Sequence, residues 1–291
     1  MIDSMRKTHS IRGLCEILGI SRSGYYASKR SKISSRAIEE RVILKEIRAI
    51  HAHRHMKVYG SPRMTKELHD RGIACGRHRV ARLMRENRIV VRRRKSFRPR
   101  TTQVDKNARI APNLLAAAPT PKAPGQQLVS DITYLRTREG WLYPSIVVDL
   151  FSRAIIGWDL SDSLAAQSAC KAISKARRST RMQNGCIFHS DRGCQYTSDL
   201  LRKELGGSIR QSMSAKGYCY DNAFAESCFA TIKAELLPSS QIFDSKIATR
   251  RAVFDYIETF YNRTRRHSAL GQISPLQFLQ LYKKQQNKHL N

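Results

Sequence analysis

Three carboxylates stand where an acid has to be explained. Asp131 interrupts the apolar run 128–135, a costly place for an ionised group unless it is paired, hydrogen-bonded or bound to a cation. Asp191 follows a second short apolar run, in His189-Ser190-Asp191-Arg192-Gly193, and Glu226 lies one turn into a helical pattern opened by Asp221-Asn222. Lys233 comes seven residues after Glu226, on the same helix face. A strand acid, a strand-end acid and a helix acid converge if that helix packs across the sheet. Such a cluster repels itself without metal, and its hard oxygen donors suit two Mg²⁺ ions about 3.5–4 Å apart. That pair would activate a water or 3′-hydroxyl and stabilise the leaving oxygen in an in-line attack on a phosphodiester. Read singly, Asp131 could pair with an arginine, Asp191 could be a turn residue and Glu226 an ordinary helix acid. Asp149 is the rival ligand, but leading into Ser152-Arg153 it reads as a hairpin-end acid. His189 either orients a carboxylate or closes its strand.

The elements that must hold these acids are legible as changes of period. Residues 128–135, 141–149 and 154–160 are β-rich, and Phe151-Ser152-Arg153 is a hairpin signal between the last two, so three antiparallel strands are expected. Residues 165–178 suit a helix, 186–189 a buried strand, and 199–205 and 223–237 two further helices, the last stopped by Pro238. Strands first, then helix, strand and helix, predict a mixed α/β sheet.

Ahead of the sheet the pattern is helical. Ile11, Leu14, Cys15, Ile17 and Leu18 predict one helix, Gly19 its end and Ser21 the cap of a second, a possible helix-turn-helix. Tyr59-Gly60-Ser61-Pro62-Arg63 predicts a turn into a helix over 64–70. The next helix, 77–86, turns Val80, Leu83 and Met84 inward and carries Arg77, Arg79, Arg82 and Arg85 on its other face. Four arginines on one short helix predict phosphate contact. The tract from 91 to 125 begins with Arg92, Arg93, Arg94 and Lys95 and ends rich in proline and alanine, the composition of a linker able to lie along phosphates. Arg263, Arg265, Arg266 and His267 follow an aromatic helical pattern and read as a DNA-facing helix end, while Lys216 and Tyr218 occupy a polar loop before the Glu226 helix. His51, His53 and His55 alternate but have no acid or cysteine at ligand spacing, and flanking Arg54 and Lys57 repel a cation, so metal binding is not expected there.

Charge points the same way. The 291 residues carry 53 Lys+Arg against 23 Asp+Glu, a net of +30, more than solubility requires, so the expected partner is a polyanion. The excess is concentrated in residues 1–130, with 30 basic and 9 acidic side chains. No apolar run approaches a membrane span and no signal-peptide pattern opens the chain, so a cytoplasmic, nucleoid-associated protein without membrane contact is expected. Seven cysteines without a Cys-x-x-Cys pair read as reduced thiols.

Several ordered motifs resemble the insertion sequence three family of bacterial transposases. They are Asp131-Ile132-Thr133-Tyr134, Asp149-Leu150-Phe151-Ser152-Arg153, His189 through Tyr196, Ser212-Met213-Ser214, Asp221-Asn222-Ala223 with Glu226-Ser227, and Tyr261-Asn262-Arg263 with Arg265-Arg266-His267-Ser268. Residues 59–89 are similar to that family's helical region. The resemblance covers nearly the whole chain and is to the family's second reading-frame product. It implies a retroviral-integrase-like, RNase H-like core with a mixed five-stranded sheet flanked by helices, preceded by an all-α helix-turn-helix region. It also implies an Asp-Asp-Glu triad at Asp131, Asp191 and Glu226 using two Mg²⁺, with Mn²⁺ a possible substitute, and Lys233 contacting the element's end. The implied chemistry is cleavage at element ends and strand transfer to a target, by a homo-oligomer on paired ends, possibly fused to or associated with the first reading-frame product. The expected division is a helical DNA-binding region at 1–90, a linker at 91–125, the core at 126–237 and a basic helical extension at 238–291. Two other functions fit the same fold: a DNA-binding regulator with a dead core, and a stand-alone metal-dependent nuclease. The chain departs from the family at Leu128, which stands in place of a tryptophan. It also has 34 rather than 35 residues between Asp191 and Glu226, one fewer near Gly206-Gly207.

Overall fold

A computed structural model describes residues 2–6, 8–30, 34–91, 109–214, 223–238, 240 and 242–289. The chain forms two compact units, Met1–His53 with Tyr59–Val90 and Arg54–Val58 with Val91–Asn291.

The first unit is helical. Its opening helices are α1 (Ile2–Met5), α2 (Ile11–Ile17) and α3 (Arg22–Arg30). Ser21 caps α3 as expected, its Oγ accepting the Gly24 N–H at 3.0 Å, and Ser10 caps α2, its Oγ accepting the Gly13 N–H at 3.2 Å. Ile2, Leu14, Cys15 and Tyr25 make a small core, but Ile17, expected to share it, is exposed. The larger bundle is α4 (Ser35–Ala52), α5 (Ser61–Asp70) and α6 (Arg77–Glu86), which pack on one another through Ile43, Ile47, Ile50, Met64, Leu68, Val80 and Leu83. Helix α5 starts at Ser61, three residues before the expected boundary at Met64. Pro62 is the reason: in a first turn its missing N–H has no partner to lose.

The second unit is built on a mixed sheet. Its strands are β1 (Gln127–Ile132), β2 (Leu135–Thr137), β3 (Gly140–Asp149), β4 (Ile155–Ser161), β5 (Cys186–Ser190) and β6 (Ile209–Met213). Strand β3 pairs antiparallel with β1, β2 and β4, whereas β1–β5 and β5–β6 are parallel. Six strands therefore replace the expected five. The extra one arises because the run 128–135 breaks at Thr133-Tyr134, and β2 continues β1 along β3 in the same register, Ile132 facing Ser145 and Leu135 facing Leu142. Strand β6, Ile-Arg-Gln-Ser-Met, has no apolar alternation that marks it as a strand.

Helices α7 (Ala166–Ser179), α8 (Cys194–Thr197), α9 (Asp199–Leu205) and α10 (Ala223–Leu236) accompany the sheet, followed by α11 (Lys246–Phe254), a π-helix at Asp255–Tyr261 and α12 (Pro275–His289). Helix α7 packs on β3 and β4 over Leu128, Val147, Ile156, Ala169, Ala172, Ile173 and Phe188. Gly157 allows this approach, because a Cβ there would lie 2.1 Å from the Ala172 carbonyl oxygen. Leu128 is fully buried in the same core, a packing role that an aliphatic side chain fills. The Gly206-Gly207 pair lies in the turn between α9 and β6, so a residue lost there leaves the face of α10 unrotated.

The second half of the expected linker is a correction. Pro112 O accepts the Met213 N–H, Ser212 Oγ accepts the Leu114 N–H, and Pro119 O accepts from the Gln127 side chain. Residues 109–125 thus belong to the core unit; Arg92, Arg93 and Arg94 lie outside the described residues.

Gly157→Ala is expected to cost about 1–3 kcal/mol through displacement of α7. Thermal unfolding followed by circular dichroism should show a melting point lower by several degrees; an unchanged one would mean that β4 and α7 have slack between them.

Candidate active site

Asp131 sits one residue before the end of β1, half-buried, with its Oδ1 accepting the Ile132 N–H at 2.8 Å. Asp191 is the first residue past β5, half-buried, with its Oδ1 accepting the Gly193 N–H at 3.0 Å. Parallel pairing sets Leu128 against Phe188 and Val129 against His189, and each aspartate lies two residues beyond that last pair, so both stand at the same end of adjacent strands. Gly193 is a close approach: a Cβ would stand 3.1 Å from Asp191 Oδ1 and 3.0 Å from Gln195 Oε1.

Beneath the two aspartates lies a group that the sequence marks only as the last residue of the motif His189 through Tyr196. Tyr196 is buried, its hydroxyl 2.9 Å from Ser130 Oγ. Burial first, and then the Asp131 carboxylate and more weakly that of Asp191, hold its phenol well above the ordinary tyrosine range. The floor of the site is therefore a neutral hydroxyl.

Glu226 occupies the first turn of α10, a helix that packs against β1; its side chain lies outside the described residues. Lys233 is half-buried two turns later. Among the described residues no group of three or more His, Cys, Asp or Glu is arranged to hold a metal.

Asp149 is the hairpin-end acid that its context predicts. It is fully buried, Oδ1 accepting the Gly125 N–H at 3.0 Å and Oδ2 the Ser152 N–H and hydroxyl at 2.8 and 2.5 Å. His189, the penultimate residue of β5, joins that strand to its neighbour. Its two ring nitrogens lie 2.8 Å from Ser212 Oγ and 3.1 Å from Ser214 Oγ, tying β5 to β6.

The basic residues divide. Arg77 and Arg85 are exposed on α6. Arg79 and Arg82 are corrections: Arg79 pairs with Glu39 at 2.9 Å, and Arg82 with Glu40 and Glu86 at 2.5 and 2.9 Å, so both bind α6 to α4. Arg265 and Arg266 are corrections too. Both are buried, Arg265 in a two-pronged pair with Glu235 at 2.7 and 2.8 Å and Arg266 donating to Gln272 O at 3.1 Å. Arg263 alone of that cluster is exposed. An arginine beside a buried acid cannot be told from an arginine beside a phosphate by composition. Lys216 lies outside the described residues. His55 hydrogen-bonds Asp255 at 2.8 Å and stacks on Phe260.

Two models described as integrase core domain match residues 121–219 and 207–275, and one described as HTH-like domain matches 37–97. The chain is 38% identical over 280 residues to "Transposase InsF for insertion sequence IS3A" from Escherichia coli (strain K12), covering 95% of this chain and 96% of that one. The chain belongs to the IS3 family of transposases. It is also 39% identical, over 92% of its own length and 98% of the relative's, to "Insertion element IS600 uncharacterized 31 kDa protein" from Shigella sonnei. Among solved structures, a simian T-cell lymphotropic virus intasome aligns with 81% of this chain and 73% of that chain at 14% identity, with a TM-score of 0.42. The matches over 121–219 and 207–275 give the transposase an integrase core, and its polynucleotidyl transferase chemistry serves DNA transposition. The HTH-like match covers α4 to α6, leaving the α2–α3 pair outside it. Among the described residues no helix is long and apolar enough to cross a membrane.

Asp149→Asn places an amide where two N–H groups and a hydroxyl need an acceptor, at a cost of about 2–4 kcal/mol. Urea unfolding should show the lower midpoint, with DNA-joining activity per folded molecule retained. A stable but inactive variant would make Asp149 part of the chemistry.

Proposed function

We propose that Asp131, Asp191 and Glu226 are the catalytic triad of this transposase, acting with Mg²⁺ in cleavage at insertion-sequence ends and in strand transfer into target DNA. The observation that carries the reading is the register of β1 and β5, two adjacent parallel strands whose ends carry Asp131 and Asp191, with the Glu226 helix packed on β1. The donor set fits the metal: Asp131 and Asp191 offer hard carboxylate oxygens, the ligands that Mg²⁺ takes. Two ions would be held by the three acids, with Mn²⁺ as substitute. When bound, such ions lower the pKa of an attacking oxygen and neutralise the leaving one.

The chain's own groups do the rest. The Gly193 N–H holds one oxygen of Asp191, so that carboxylate keeps its rotamer without metal. Tyr196 keeps its proton and adds no third negative charge beneath the pair. Lys233, on the Glu226 face of α10, meets the element's end. Arg77, Arg85 and Arg263 present exposed charge to phosphates, and Arg92, Arg93, Arg94 and Lys216 extend the basic track. DNA is the partner, both element ends and target, bound by a homo-oligomer on paired ends, with the first reading-frame product fused or associated. The setting is the bacterial cytoplasm at the nucleoid.

Asp131→Asn, Asp191→Asn and Glu226→Gln should each reduce Mg²⁺-dependent cleavage and joining of an element-end oligonucleotide by about a thousandfold or more, an effect the size of removing an essential catalytic group. Affinity for the same oligonucleotide should hold. Retained cleavage in any one variant removes that residue from the triad, and cutting without joining would make the protein a nuclease. Arg85→Ala should leave the melting point in place and reduce the slope of log affinity against log salt by about one; an unchanged slope takes Arg85 off the DNA surface.

A further inference from the structure

The C-terminal extension grips the back of the catalytic helix. Along α10, Cys228 and Glu235 are seven residues apart, so they share a face after about two turns. Glu226 and Glu235 are nine apart, about two and a half turns, which puts them on opposite sides of the helix axis. The extension meets the Cys228–Glu235 side with a π-helix, Asp255–Tyr261, in which the Asn262 N–H reaches back five residues to Ile257 O. In such a helix residues five apart fall on one face, as residues three and four apart do in an α-helix. Tyr256 and Tyr261 therefore both point at α10. Tyr256 donates its hydroxyl to Glu235 Oε2 at 2.8 Å, and the Tyr261 hydroxyl lies 3.3 Å from Cys228 Sγ. Arg265 completes the grip with two bonds to Glu235 and its guanidinium 5.5 Å from the centre of the Tyr261 ring. Glu235, Arg265, Tyr256 and Tyr261 are all buried.

We infer that this clamp of Glu235, Arg265, Tyr256 and Tyr261 is a positioning device that sets the rotation of α10 about its own axis, and with it the aim of Glu226 and Lys233. The physical case has two parts. Apolar contacts through Phe229, Ile232 and Leu236 turn one face of the helix inward but set its azimuth only coarsely, because hydrophobic burial is non-directional. A two-pronged guanidinium–carboxylate pair is planar and directional, and fixes azimuth. A buried ion pair is a weak source of stability, since matched apolar residues often serve as well, so its use here is orientation. The interruption of regular helix geometry at 255–261 serves the same end, because an α-helix would turn Tyr256 and Tyr261 to different faces. These residues act through Glu226 and Lys233 and touch no substrate.

The inference rests on Glu226 being the third acid, and the test separates the two ideas. In the full chain, the double variant Glu235→Met with Arg265→Met is expected to keep its far-UV spectrum and a melting point at or near that of the parent. Its cleavage and joining should slow by about tenfold to a hundredfold, the cost of a small misplacement of a reacting group. Affinity for the uncut element end should stay within about twofold on that view, and hydrogen exchange of the amides in 223–236 should quicken. The parent's rate with the parent's exchange would overturn the clamp and leave the pair a stability element. Should that double variant fail to fold, Tyr256→Phe removes a single hydroxyl. Slower joining with faster exchange in α10 supports the clamp, and an unchanged rate and exchange overturn it. Glu226→Gln run alongside reports on the triad by itself: activity retained there defeats the triad reading, whereas an inactive Glu226→Gln beside a fully active clamp variant defeats only the clamp.

Discussion

The parallel pairing of β1 with β5 is the constraint on which the site depends. Two strands 60 positions apart in sequence run side by side with matched numbering, residue 128 against 188 and 129 against 189. The acids at 131 and 191 arrive together at the strand ends because of that match. A slip of one residue would turn one carboxylate to the opposite face of the sheet. Much of the core can be read as insurance against such a slip. His189 bridges β5 to Ser212 and Ser214 at the β6 edge, and the Tyr196 hydroxyl couples the α8 turn to Ser130 on β1.

Strand ends are a favourable place for this chemistry. The strands themselves are buried and rigid, while the residues just beyond them face the crevice where ligands bind in open α/β sheets. Bringing two carboxylates together there stores repulsion. The protein offsets part of it with backbone N–H donors from Ile132 and Gly193, and on the proposed reading Mg²⁺ would neutralise the remainder. Asp149 solves the opposite problem. Its carboxylate accepts three donors from the chain itself and is entirely enclosed, away from solvent ions.

The strong positive charge of the chain has two destinations that the sequence does not distinguish. Some arginines face outward, as Arg77, Arg85 and Arg263 do, and are available to phosphates. Others, Arg79, Arg82 and Arg265, are committed to internal acids that join one helix to another. The same guanidinium fork that recognises phosphate also matches carboxylate, so residue type alone carries no information on which partner it has.

Helix existence, the Ser21 cap and the inward apolar face of α6 were legible in the amino-acid sequence, because these depend on contacts three and four residues away. The hairpin acid Asp149 was legible for the same reason, its partner Ser152 being three residues on. The family motifs made the three acids legible as a set. What only the tertiary structure decided were matters of long-range partnership: the break that makes β2 a separate strand, the incorporation of 109–125 into the core, the strand β6, Tyr196 under the two aspartates, and the burial of Arg265 against Glu235, 30 residues away. Local propensity is written in neighbouring residues and can be read one stretch at a time. A buried charge pair or a strand register is a relation between distant segments, and it exists only once the chain has brought them together.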